Sequence, residues 1–151
     1  MTRREKAEEL FASGYNCAQS VTLAFADMLP LGEEELAKMA SSFGGGMGRL
    51  REVCGAVTGM FIVCGFLYGY GTPETGDPKA AHYARIQELA HRFQDDHGGM
   101  YICRELLGLE VKNDDPTPEP RTAKYYETRP CGTLVGDAAE LLEKFIEENP
   151  V

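Results

Sequence analysis

Residues 41–71 read SSFGGGMGRLREVCGAVTGMFIVCGFLYGYG, and how this stretch is read decides the fold. It opens on a glycine cluster (Gly44, Gly45, Gly46, Gly48) and a basic pair (Arg49, Arg51), then enters a segment with no charged residue from Val53 to Pro73. An apolar run of this length is either the central helix of a bundle or a membrane span. Gly55, Gly59, Gly65, Gly69 and Gly71 weaken it as a free-standing helix, while Gly55 and Gly59, at i and i+4, allow a second backbone to come close. The rest of the chain favours the bundle, because it consists of amphipathic stripes that need a common core to cover.

Outward from this segment the pattern is helical. The first helix is expected from about Arg3 to Ala12, stopped at Gly14. Asn16 with Gln19 three residues on forms a capping-box pattern, and the helix it opens carries Cys17, Val21, Ala24, Phe25 and Met28 on one face until Pro30 and Gly32 stop it. A third helix runs from Glu33 to about Ser42. Beyond Gly71, TPETGDP reads as a turn with Asp77 as N-cap and Pro78 in the first helical position. The long helix that follows has His82, Ile86, Leu89, Ala90 and Phe93 on one face and breaks at Gly98 and Gly99. A short helix from about Met100 to Leu107 ends at Gly108. Lys112 to Arg121, with Pro116, Pro118 and Pro120, reads as an extended surface loop. After Tyr125 and Tyr126, Pro130 introduces the last helix, whose inward face is Cys131, Leu134, Ala138, Leu141, Leu142 and Phe145. The expectation is an all-α fold: a single-domain bundle, residues 1–151, of about six helices around the central glycine-rich apolar helix.

Composition narrows the function. A chain of 151 residues can bury a core without staples. The net charge of −9, from 24 acidic and 15 basic residues, gives no footprint for nucleic acid or an anionic membrane. The N-terminus, MTRREKAEELF, has no apolar signal region, so a cytoplasmic location is expected and an integral membrane protein is not. Five cysteines in such a compartment should be mostly reduced, and an odd number suits no closed disulfide framework.

Cys17, Cys54 and Cys131 fall at or beside expected helix starts, and Cys103 falls in or just past the first turn of another. Helix N-termini offer unpaired N–H groups and partial positive charge, which favour thiolate; Arg49 and Arg51 add charge near Cys54. All four should point inward and could converge. Cys64 lies mid-helix, roughly 15 Å along the axis from Cys54, and reads as a core thiol outside any site. There is no C-x-x-C spacing, so a shared site must be assembled from separate helices. Four such thiolates are the ligand set of a zinc or iron–sulfur site; two of them could instead form a reversible disulfide. The bland alternative is four thiols that only fill core volume.

The glycine cluster matches no phosphate-binding spacing. Its expected role is a tight turn in which Gly44, Gly45 and Gly46, with Gly55, bring backbone close to the thiols or to a cofactor held there. His97, beside Asp95 and Asp96 and six residues before Cys103, could be a ligand or a proton carrier, but the favoured expectation is that it serves a helix C-terminus by its charge; His82 and His91 are expected to be structural or exposed. Phe66, Tyr68 and Tyr70 could cover a second copy of the chain, although burial within one chain explains them equally.

In order along the chain, Asn16-Cys17-Ala18-Gln19, Phe43-Gly44-Gly45-Gly46-Met47-Gly48, Cys54-Gly55-Ala56-Val57-Thr58-Gly59, Cys103-Arg104 and Cys131 resemble the C-GCAxxG-C-C family of redox-active proteins. The family label is written Gly-Cys-Ala where this chain has Cys-Gly-Ala, so the likeness rests on the ordered set. The resemblance implies that Cys17, Cys54, Cys103 and Cys131 are the family's four cysteines and that their role is redox or metal binding, with Cys64 an addition. An oxidoreductase working through thiols or a metal, with a redox partner or small molecule as its counterpart, is the expected class; a zinc-holding structural module is the alternative.

Overall fold

The computed structural model describes residues 1–73, 76–110 and 114–151. Parts of two expected loops, the turn at 74–75 and the start of the proline-rich segment at 112–113, lie outside the described residues. The fold is all-α, and no strand occurs among the described residues. In chain order the elements are α1 (Arg3–Ala12), α2 (Cys17–Leu23), a 3₁₀ turn (Ala26–Met28), α3 (Glu33–Ala40), a second 3₁₀ turn (Ser41–Phe43), α4 (Gly44–Met47), α5 (Gly55–Tyr68), α6 (Asp77–Asp95), α7 (Cys103–Leu106), α8 (Ala123–Thr128) and α9 (Cys131–Glu148).

Local chemistry explains most boundaries. The Thr2 hydroxyl accepts from Glu5 N–H and Glu5 reaches back to Thr2 N–H, a capping box that starts α1. Asn16 and Gln19 do the same for α2. Three boundaries differ from expectation. The short helix expected from about Met100 begins only at Cys103, because Ile102 is extended and bridged to Val53. The second helix does not continue to Pro30: it ends at Leu23, and Phe25 (φ −115°, ψ 15°) leaves helical geometry so that its ring can be fully buried while a 3₁₀ turn carries Met28. Gly76 (φ +93°), rather than Asp77, precedes α6, which places Pro78 one position further into the first turn.

Two packing relations organise the helices. α1 lies along α9, with Ala7 and Phe11 buried and Arg4 bonded to Asp137 and Glu140 on α9. α5 is packed on by α2, α6 and α9. The α2–α5 contact is possible because two α5 positions have no side chain: a Cβ at Gly59 would stand 2.9 Å from Val21 Cβ and 3.0 Å from Ala18 O. At Gly55 it would stand 3.0 Å from Cys17 Cβ and 3.1 Å from Ala18 N. Phe25, Met60, Leu36, Leu89, Phe93, Leu142 and Phe145 fill the core between the helices.

The aromatic side chains near the end of α5 have partners within the chain. Tyr68 stands edge-on to Phe145, at 5.7 Å between centroids, and its hydroxyl donates to Asn149 O. Among the described residues no helix is long and apolar enough to cross a membrane.

Candidate functional site: a thiol-lined cavity

The glycine cluster folds into a left-handed turn. Gly45, Gly46, Met47, Gly48 and Arg49 have φ between +59° and +69°, and Arg51 also has φ +59°. Glycine takes this conformation freely, but a residue with a Cβ pays roughly 1–2 kcal/mol, and three such residues, Met47, Arg49 and Arg51, hold it here. Backbone bonds from Arg51 N–H to Gly45 O and from Glu52 N–H to Gly46 O close the turn. Its position requires glycine as much as its shape does: a Cβ at Gly46 would lie 2.6 Å from Cys103 Cβ, and one at Gly44 would run into the Asn16 side chain.

From this turn the chain passes beside the segment before α7. Val53 and Ile102 form an isolated antiparallel bridge, with Cys54 N–H donating to Tyr101 O (2.9 Å) and Cys103 N–H to Glu52 O (2.6 Å). Two cysteines 49 positions apart are thereby set side by side on paired backbone. Cys54 is the N-cap of α5, while Cys17, Cys103 and Cys131 are the first residues of α2, α7 and α9. All four line one cavity of about 410 Å³. Its wall is completed by Gly44, Gly45, Gly48 and Gly55, by Pro116, Pro118 and Glu119 of the proline-rich segment, by Tyr125 of α8, and by Arg49, Arg51, Arg121 and Arg129. Gly46 lies behind the wall, under Cys103. Cys64 does not reach the cavity; it is fully buried in α5, and burial pushes its thiol up to about 11.

The four thiols are not equivalent. Cys17 is the least buried of the four and shares the cavity wall with Cys131, and each of the two thiols shifts the other's titration. The Cys17 thiol is the main reason the Cys131 thiol is drawn down, against the opposing effect of burial; the positive charge of Arg129, the nearby Tyr125 hydroxyl and the charge of Arg121 add to it. Cys131, together with burial, pushes Cys17 well up. Burial pushes Cys54 up to about 12, although the N–H groups of Ala56 and Val57 work in the opposite direction. Cys103 is also raised by burial, against a bond from Arg51 Nη1 at 3.5 Å.

One sequence expectation is corrected here. A helix start does not favour thiolate at all four positions: burial outweighs the partial charge of a helix end at Cys54, and at Cys103 it does so even with the Arg51 and Arg129 charges beside it, so that only Cys131 is drawn down. Arg51, expected near Cys54, lines the same cavity and bonds Cys103. Among the described residues no group of three or more His, Cys, Asp or Glu side chains is drawn together so as to hold a metal ion. His97 lies away from the cavity, with Nδ1 on Phe93 O at the end of α6, its ring stacked on Phe93, and Nε2 on Asp137. His91 is exposed; His82 is buried beside Tyr70.

Sequence reasoning missed Arg121, Tyr125, Arg129 and the proline-rich wall. A local signal existed for Arg129, two residues before Cys131; none existed for Arg121, which arrives through contacts to Phe11 O and Tyr15 O more than a hundred positions away.

No curated protein and no solved structure matches the chain. A family model described as "Putative redox-active protein (C_GCAxxG_C_C)" matches residues 15–145, which carry the turn and all four cysteines of the cavity, and the chain therefore belongs to that family.

Proposed function

We propose that the protein is a thiol–disulfide oxidoreductase whose working pair is Cys17 and Cys131, with Cys54 and Cys103 completing the set of redox thiols around the cavity. The observation that carries this reading is the convergence of Cys17 and Cys131 on one cavity wall with Arg121, Tyr125 and Arg129, where one thiol is pushed up and the other drawn down. A nucleophilic thiol works best with a pKa near ambient pH. In the resting state Cys131 is the thiolate and Cys17 holds the proton.

Exchange then balances as follows. The Cys131 thiolate attacks one sulfur of a substrate disulfide; that S–S bond breaks, and the departing half leaves as a thiolate and takes the proton of Cys17. The Cys17 thiolate attacks Cys131 Sγ in the mixed disulfide, the Cys17–Cys131 bond forms, and the second half leaves as a thiolate to be protonated by solvent. The protein loses two electrons and the substrate gains them. Tyr125 and Arg129 hold the Cys131 thiolate before attack.

A four-thiolate iron–sulfur or zinc site, with the glycine turn placing backbone beside the sulfurs, is the second reading; it is favoured by four cysteines on one cavity wall. It requires the thiols to move together, since three of them do not share a metal-holding arrangement among the described residues. Treatment of the anaerobically purified protein with a small neutral disulfide, followed by peptide mapping without reduction, separates the readings. The expected product is metal-free protein with a Cys17–Cys131 bond and Cys64 free. Stoichiometric iron or zinc, with four thiols protected until it is removed, would establish the second reading and displace the first.

A further inference from the structure

The cavity is cationic in an acidic protein. Its wall holds Arg49, Arg51, Arg121 and Arg129 against one acidic side chain, Glu119, among the described lining residues, while the chain as a whole carries −9. Three of these arginines have carboxylate partners, though only two carboxylates serve them: Glu119 pairs with Arg129, and Asp114 bridges Arg49 and Arg51. Arg121 bonds backbone carbonyls, stacks over Phe11 at 4.2 Å, and has no carboxylate partner among the described residues.

Arg51 is the more telling. It is 4% exposed, and its Nε is buried without a hydrogen-bond partner, although Nη1 reaches Cys103 and Nη2 reaches Asp114. A guanidinium held this deep keeps its charge fixed in the cavity wall, where solvent screens it little.

On the reading that Cys17 and Cys131 exchange disulfides, we propose that the cavity selects low-molecular-weight disulfides bearing carboxylates. A volume of about 410 Å³ suits the half of such a molecule that stays attached to Cys131 in the mixed disulfide. Its carboxylate meets the arginines, and the half that leaves is the one outside. The step is the exchange already balanced above, with the acidic disulfide as oxidant.

Three small disulfides of similar length test this: dithiodipropionate (anionic), hydroxyethyl disulfide (neutral) and cystamine (cationic). Each rate of Cys17–Cys131 bond formation is divided by the rate of the same disulfide with free mercaptoethanol, which removes intrinsic reactivity. The net charge of the protein alone would make the anion slowest. The proposal predicts the opposite order, with the anion ahead of the neutral compound by about tenfold, an advantage that shrinks with added salt and in Arg121→Gln. An anion no faster than the neutral disulfide overturns the selectivity and leaves the Cys17–Cys131 pair standing. Failure of all three to form that bond in the folded protein removes the exchange reading and this inference with it. The ratio is measured on the unaltered protein, so the test does not depend on a variant folding.

Discussion

The two ends of α5 each carry a buried thiol, and they differ in everything else. Cys54 caps the N-terminal end, beside paired backbone, a left-handed turn, four arginines and three further thiols. Cys64, ten residues on, is enclosed by core side chains. Helix packing differs in the same way: Gly55 and Gly59 press directly on α2, whereas a Cβ at Gly65 would meet nothing within 4 Å. Burial pushes up the thiols of both Cys64 and Cys54. What sets the two ends apart is the donors and cations brought in from elsewhere in the chain, which gather around Cys131 at one end of the helix.

The largest expected difference between the ends is in reactivity. With Cys131 drawn down and Cys64 pushed up by burial, the thiolate fraction at neutral pH is far larger at Cys131. Alkylation of Cys131 should rise with pH and then level off once its thiolate is formed, whereas Cys64 should keep gaining about tenfold per pH unit well into the alkaline range. Equal rates, read by mass spectrometry of the folded protein, would erase the contrast.

Packing gives the next effect. Gly59→Leu should destabilise the protein by about 3 kcal/mol or more, since its side chain would be forced into Val21 and the Ala18 carbonyl. An unchanged denaturation midpoint would mean that α2 and α5 do not meet as described. Gly46→Ala should cost about 2 kcal/mol from the left-handed backbone and the contact with Cys103, and should also shift the rate at which Cys103 is alkylated. Smallest and opposite in sign, Gly65→Ala should stabilise by about 0.5–1 kcal/mol, because it adds helix propensity in open space. A loss at position 65 comparable to that at 59 would make the two ends alike after all.

Much of this was legible in the chain because it is local. The Asn16–Gln19 cap, the inward stripe of α9 and the separate standing of Cys64 depend on spacings within one helix, which sequence displays directly. What escaped depends on distant partners. Nothing in Arg49, Met47 or Arg51 announces a positive φ; the glycines between them make the turn, and its bonds to Gly45 and Gly46 hold it. The pairing of Val53 with Ile102 sets Cys54 and Cys103 side by side, and a single bridge leaves no strand pattern to read. The same holds for Arg121, whose place is set by the carbonyls of Phe11 in α1 and of Tyr15 in the link between α1 and α2.

The contact at Gly55 has a consequence for how the protein tolerates change. Cys17 Cβ rests against the bare backbone of α5, so the spacing between the starts of α2 and α5 is set by main chain and not by the girth of any side chain. Leu, Met or Phe residues deeper between the helices can drift in size and alter stability while the gap between those two thiols stays as it is. Gly55 itself is the exception: even the smallest addition there would move the ruler and not merely the filling.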